Sequence, residues 1–108
     1  MFRKPKHIRD AKTFLAEMGI EPVDAETVGM HLEEMRKEDN RYDTRYYATP
    51  KVVEDMKLLI PSRKVYLKHE LSGETPETFA LRVMQAYIVC STGKDVGYRD
   101  NYIFIKRF

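Results

Sequence analysis

The sequence predicts an α+β fold: N-terminal helices with a short strand arm, followed by a strand-helix-strand unit forming a small antiparallel sheet. Three observations carry this expectation. Apolar residues recur at spacings of three and four through most of the first sixty residues, the segments 64–71 and 102–108 have strand character, and the pairs Thr49-Pro50 and Thr75-Pro76 mark helix starts. With 108 residues, 43% of them hydrophobic and 33% charged, the chain suits one domain, 1–108, with a core of its own.

Ile8, Ala11, Leu15 and Met18 form one apolar helix face over residues 6–18, and Gly19 is a natural stop. Residues 1–5 are expected to be a flexible basic arm. Asp24 can cap a second helix that runs towards Asn40, with Ala25, Val28, Leu32 and Met35 on its apolar face. The aromatic and threonine residues of "NRYDTRYYATP" favour a short strand near 42–48. A third helix follows Thr49-Pro50 with Val52, Val53, Met56, Leu59 and Ile60 as its stripe, and Pro61 ends it.

"RKVYLKHEL" alternates, with Val65, Leu67, His69 and Leu71 on one face, as a half-buried strand does. Residues 77–91 are apolar on most sides, the mark of a central core helix. "STGKDVGYRDN" reads as a connection. "YIFIKRF" reads as a terminal strand, most simply antiparallel to residues 64–71.

"MGIEPVDAETVGMHLEEMRK" followed by "RYDTRYY" resembles a winged helix-turn-helix domain over residues 8–47, with the second segment as the wing. The resemblance implies a second helix that enters the DNA major groove and a hairpin lying along the phosphates. The charges point elsewhere. Residues 24–39 hold six acids against two bases, a net charge of −4, and inward placement of the apolar stripe turns Glu26, Glu33 and Glu34 outward. A face of carboxylates repels phosphates. That helix therefore serves scaffold or protein contact better than groove insertion.

Basic and aromatic residues coincide in two other places. Arg3, Lys4, Lys6, Arg9 and Lys12 form a basic N-terminal set, and Arg41, Tyr42, Arg45, Tyr46 and Tyr47 an aromatic and basic one; together they are the expected nucleic-acid-binding residues, able to contact phosphates and stack on unpaired bases. If Ile103 and Ile105 face the core helix, Tyr102, Phe104 and Lys106 share the opposite sheet face with Lys64, Tyr66 and Lys68. The alternative function is a protein-binding inhibitor or adaptor that covers a partner surface with the acidic helix 24–39, through Glu26, Met30, Glu33, Glu34 and Lys37. A homodimer is compatible with either reading.

The net charge of +2 excludes a strong overall field, so any anionic partner must be met locally. One cysteine, Cys90, leaves no internal disulfide, and no apolar run is long enough to span a bilayer; the expected setting is the cytoplasm. His7, His31 and His69 lie in no compact ligand pattern, so no metal or cofactor is expected. Cys90 with His69 would offer a nucleophile and a base, but Cys90 sits in the apolar run "AYIVC", where a free cysteine is usually an inert core residue, and the adjacent acids Glu33-Glu34 and Glu54-Asp55 point in different directions on a helix. The expectation is a non-enzymatic regulatory protein.

Overall fold

The structure, a computed structural model, describes residues 3–59, 73 and 75–107, with side chains from residue 10 onward. Helix α1 spans Arg3–Met18 and α2 Ala25–Glu33; strands β1 (Arg36–Asp39) and β2 (Asp43–Tyr47) form a hairpin; α3 spans Pro50–Leu59 and α4 Pro76–Thr92; β3 (Val96–Arg99) and β4 (Tyr102–Lys106) form a second hairpin. The two hairpins join into one antiparallel sheet of order β1-β2-β4-β3. This is the expected α+β architecture.

Helix α1 buries Ala11, Leu15 and Met18. It closes with Gly19 at φ 72°, whose N–H donates to Ala16 O at 3.0 Å while Ile20 N–H reaches back to Leu15 O at 2.9 Å. This paired closure needs a left-handed residue, which glycine adopts without strain. Asp24 caps α2 by accepting from Thr27 N–H at 2.8 Å. Thr75 caps α4 by accepting from Thr78 N–H at 3.1 Å, with Pro76 at the first helical position.

Helix α4 is the hub. Nine of its residues, from Phe79 to Val89, are buried, because α1, α2 and α3 pack on it and its remaining side meets β3 and β4. Its lack of a polar face follows from that position. Val52 and Met56 of α3, Val83 and Met84 of α4 and Ile103 of β4 have no exposed surface, so helices and sheet share one core.

Four expectations are corrected. The second helix stops at Glu33, and residues 36–39 are a strand, so no acidic helix 24–39 exists. The sequence "RKED" has no apolar residue to hold a further helical turn on the core, whereas extended backbone pairs with β2 and gains Thr44 Oγ1 donating to Asp39 at 2.8 Å and Tyr47 OH donating to Glu38 at 3.3 Å. Asn40 starts the hairpin turn instead of ending a helix: its side-chain oxygen accepts from the N–H groups of Tyr42 at 2.8 Å and Asp43 at 2.9 Å.

The connection after α4 contains β3, where Val96 is buried and Gly97 faces β4. β4 is flanked by β2 and β3 on its two edges; the expected strand 64–71 lies outside the described residues. Helix α1 begins at Arg3, ahead of the expected start at residue 6. No described helix is long and apolar enough to cross a membrane.

Candidate nucleic-acid interface

Alternation along the paired strands sorts the sheet into two faces. Thr44, Tyr46, Val96, Tyr98, Ile103 and Ile105 occupy register positions on the helix side, where Val96 and Ile103 are buried and Tyr46, Tyr98 and Ile105 pack against the core. The opposite face has two four-residue cross-strand rows, Arg36, Tyr47, Tyr102 and Arg99 in the first and Glu38, Arg45, Phe104 and Gly97 in the second, with the pair Asp43 and Lys106 beyond them. Among the described helices α4 makes the main contacts with the sheet, through β3 and β4.

The two rows interlock as three rings, each with an arginine over it. Arg36 lies 3.9 Å from the centre of the Tyr47 ring, Arg45 4.7 Å from that of Tyr102, and Arg99 5.4 Å from that of Phe104. The rings touch each other: Tyr47 and Tyr102 meet at 5.3 Å and 51°, and Tyr102 and Phe104 at 6.1 Å in an edge-to-face arrangement. Tyr102, at the centre, is only 7% exposed although it faces away from the helices. Offset and edge-on ring pairs with cations over the faces are the favoured arrangements of aromatic quadrupoles.

Gly97 makes room for this layer. A Cβ at that position would overlap the Phe104 ring, so glycine lets the ring lie across β3. Tyr47 and then Asp43, whose carboxylate is 3.1 Å from Arg45 Nε, hold the Arg45 guanidinium further into its charged form. Arg36, Arg45, Arg99 and Lys106 outnumber Glu38 and Asp43 on the face, which makes it locally basic in a chain of small net charge.

At one end of the sheet the exposed Arg41 and Tyr42 form the β1-β2 turn, and Arg107 N–H donates to Tyr42 O at 2.9 Å. Lys106 pairs with Asp43 in the strand register next to them. Of the expected aromatic and basic set, Arg45 and Tyr47 therefore belong to the outer face, Arg41 and Tyr42 to its margin, and Tyr46 to the core side. Lys12 is exposed on α1, which packs along α4 on the helical side of the sheet; the side chains of Arg3, Lys4, Lys6 and Arg9 lie outside those described. Arg36 and Arg99 are additions that local sequence did not single out.

The residues of the alternative surface separate. Glu26, Met30 and Glu33 are exposed on α2, with Met30 62% exposed. Lys37 stands on β1. Glu34 turns into a half-buried cluster with His31 of α2 and Lys51 and Asp55 of α3. The proximity of Glu34 raises the Asp55 carboxyl above its ordinary value, while contact with Asp55 and then Lys51 lowers that of Glu34. Burial raises the Cys90 thiol, against the opposing effect of Lys12, which suits an inert packing residue.

Comparison with known protein families, with curated proteins and with solved structures finds no match to this chain.

Proposed function

We propose that the protein is a non-enzymatic regulatory factor that binds single-stranded nucleic acid across the outer face of its sheet. The observation that carries this reading is the layer of three rings and three arginines. Bases stack on aromatic and guanidinium planes without regard to sequence, and arginine attracts the phosphates between them. A tyrosine and arginine turn at one end of the face extends the track through Arg41, Tyr42, Lys106 and Arg107. Duplex DNA offers its bases only through grooves, whereas the rings and arginines of this layer are spread across a sheet face; the exposed Glu26 and Glu33 of α2 oppose use of that helix as a reader.

Fluorescence anisotropy with short single-stranded and duplex oligonucleotides over a salt series tests the proposal. Single strands are expected to bind more tightly than duplex, with affinity falling as salt rises. Replacing Arg36, Arg45 and Arg99 by glutamine should lower the log-log salt slope by about 2, since each phosphate contact on a single strand contributes about 0.7. Absence of binding at low salt, or an unchanged slope in the folded triple variant, refutes it.

A further inference from the structure

We propose that His31, Glu34 and Asp55 form a binding site for a divalent transition-metal ion of intermediate softness, such as zinc, bridging α2 and α3. The site stands apart from the sheet face and does not depend on nucleic-acid binding. Its framework is fixed. Glu34 caps the C-terminus of α2, and its carbonyl accepts from the Thr49 hydroxyl at 2.6 Å, where Thr49 starts α3. The His31 ring lies parallel to Tyr87 of α4, with centroids 6.2 Å apart and planes at 17°, which sets its orientation from the core side.

The two carboxylates divide their oxygens between two neighbours. Glu34 Oε2 and Asp55 Oδ1 face Lys51 Nζ, at 3.2 and 4.0 Å. Glu34 Oε1 and Asp55 Oδ2 face His31 Nδ1, at 3.5 and 4.0 Å. Lysine thus holds one side of the carboxylate pair, and the other side is left to an imidazole nitrogen. On that second side Glu34 Oε1 is buried and, among the described residues, accepts no hydrogen bond. A buried carboxylate oxygen without a donor is costly and calls for a cation or a proton.

One ligand atom from each of the three residues lies within 4.8 Å of the others. An ion about 2.1 Å from each donor in a tetrahedral site needs donor separations of roughly 3.4 Å, so the 3.5 and 4.0 Å spacings to His31 close by about half an ångström or less and the spacing between the two carboxylate oxygens by at most about 1.4 Å. One imidazole nitrogen with two carboxylate oxygens suits zinc, cobalt or nickel; calcium and magnesium prefer oxygen alone. Water would complete the coordination sphere. Lys51 is 68% exposed on its side chain and can remain on its own side of the pair or swing outward.

Calorimetry and thermal melting of the chelator-treated full chain with zinc chloride test the site, together with absorption spectra of the cobalt form. The expected result is saturable binding at one ion per chain and a melting temperature that rises with zinc. Glu34→Gln and Asp55→Asn, which preserve shape, should each weaken binding at least about tenfold, as even loss of an outer-shell partner does. Lys51→Ala should leave binding unchanged or tighter, and the cobalt spectrum should lack thiolate charge-transfer bands. Four results overturn the proposal: no saturable binding up to millimolar zinc, binding indifferent to Glu34→Gln and Asp55→Asn, a thiolate signature pointing to Cys90, or loss of binding in Lys51→Ala.

Discussion

Truncating Tyr102 to alanine tests whether the outer sheet face is a packed layer or a loose fringe. Tyr102 is 7% exposed and loses three specific contacts in the variant: the Tyr47 ring, the Phe104 ring and the Arg45 guanidinium. Two ring pairs at about 0.5–1.5 kcal/mol each and one partly exposed cation-π contact at about 0.5–1 kcal/mol give roughly 1.5–4 kcal/mol. Lost ring burial adds to this, which brings the total to about 3–5 kcal/mol, the range for truncating a buried aromatic. At about 4 °C per kcal/mol for a domain of this size, the melting temperature should fall by at least roughly 12 °C.

Urea and thermal unfolding followed by circular dichroism measure the effect, with Tyr102→Phe as the control. The phenylalanine keeps the ring, so its cost should stay below about 1 kcal/mol. A Tyr102→Ala protein within about 1 kcal/mol of the parent would refute the packed layer, and with it the view that the arginines are held in place by ring faces.

Two further outcomes follow from the same geometry. Gly97→Ala should displace the Phe104 ring and cost about 1–3 kcal/mol, and the penalty should largely disappear in a Phe104→Ala background; equal penalties in both backgrounds, read from urea midpoints, would contradict the contact. The Thr27 N–H holds the Asp24 carboxyl below its ordinary value, so the cap's contribution is present above that ordinary value and lost as pH falls through the depressed one. Asn caps without titrating in this range, so the melting temperature of Asp24→Asn should lack this acid-dependent component; identical pH profiles would argue against the charged cap.

Local pattern carried the helices. Ala11, Leu15 and Met18 mark the buried face of α1, Thr75-Pro76 fixes the start of α4, and the uniform apolarity of α4 shows its central place. The strands were less legible where pairing overrides propensity. "RKED" has the composition of a helix end and becomes β1 because β2 supplies a partner edge, and β3 hides behind Gly97, which weakens strand propensity while serving Phe104.

The site was half visible for the same reason. Arg45 and Tyr47 are neighbours in sequence, and a strict period of two would have sent Tyr46 to the other face. Arg36 and Arg99 reach that face only through the order β1-β2-β4-β3, which joins residues far apart in the chain. Likewise His31 and Glu34 are three residues apart on the end of α2, but Asp55 joins them through helix packing that no local spacing encodes.

The central claim is where nucleic acid sits, and an NMR titration of labelled protein with a short single strand locates it. Shifts should concentrate on the backbone of β2 and β4 and on the Nε–H groups of Arg36, Arg45 and Arg99, with the Tyr47 and Phe104 ring signals moving as bases stack. Shifts confined to α1 or α2, or spectra unchanged at saturating oligonucleotide and low salt, would contradict it.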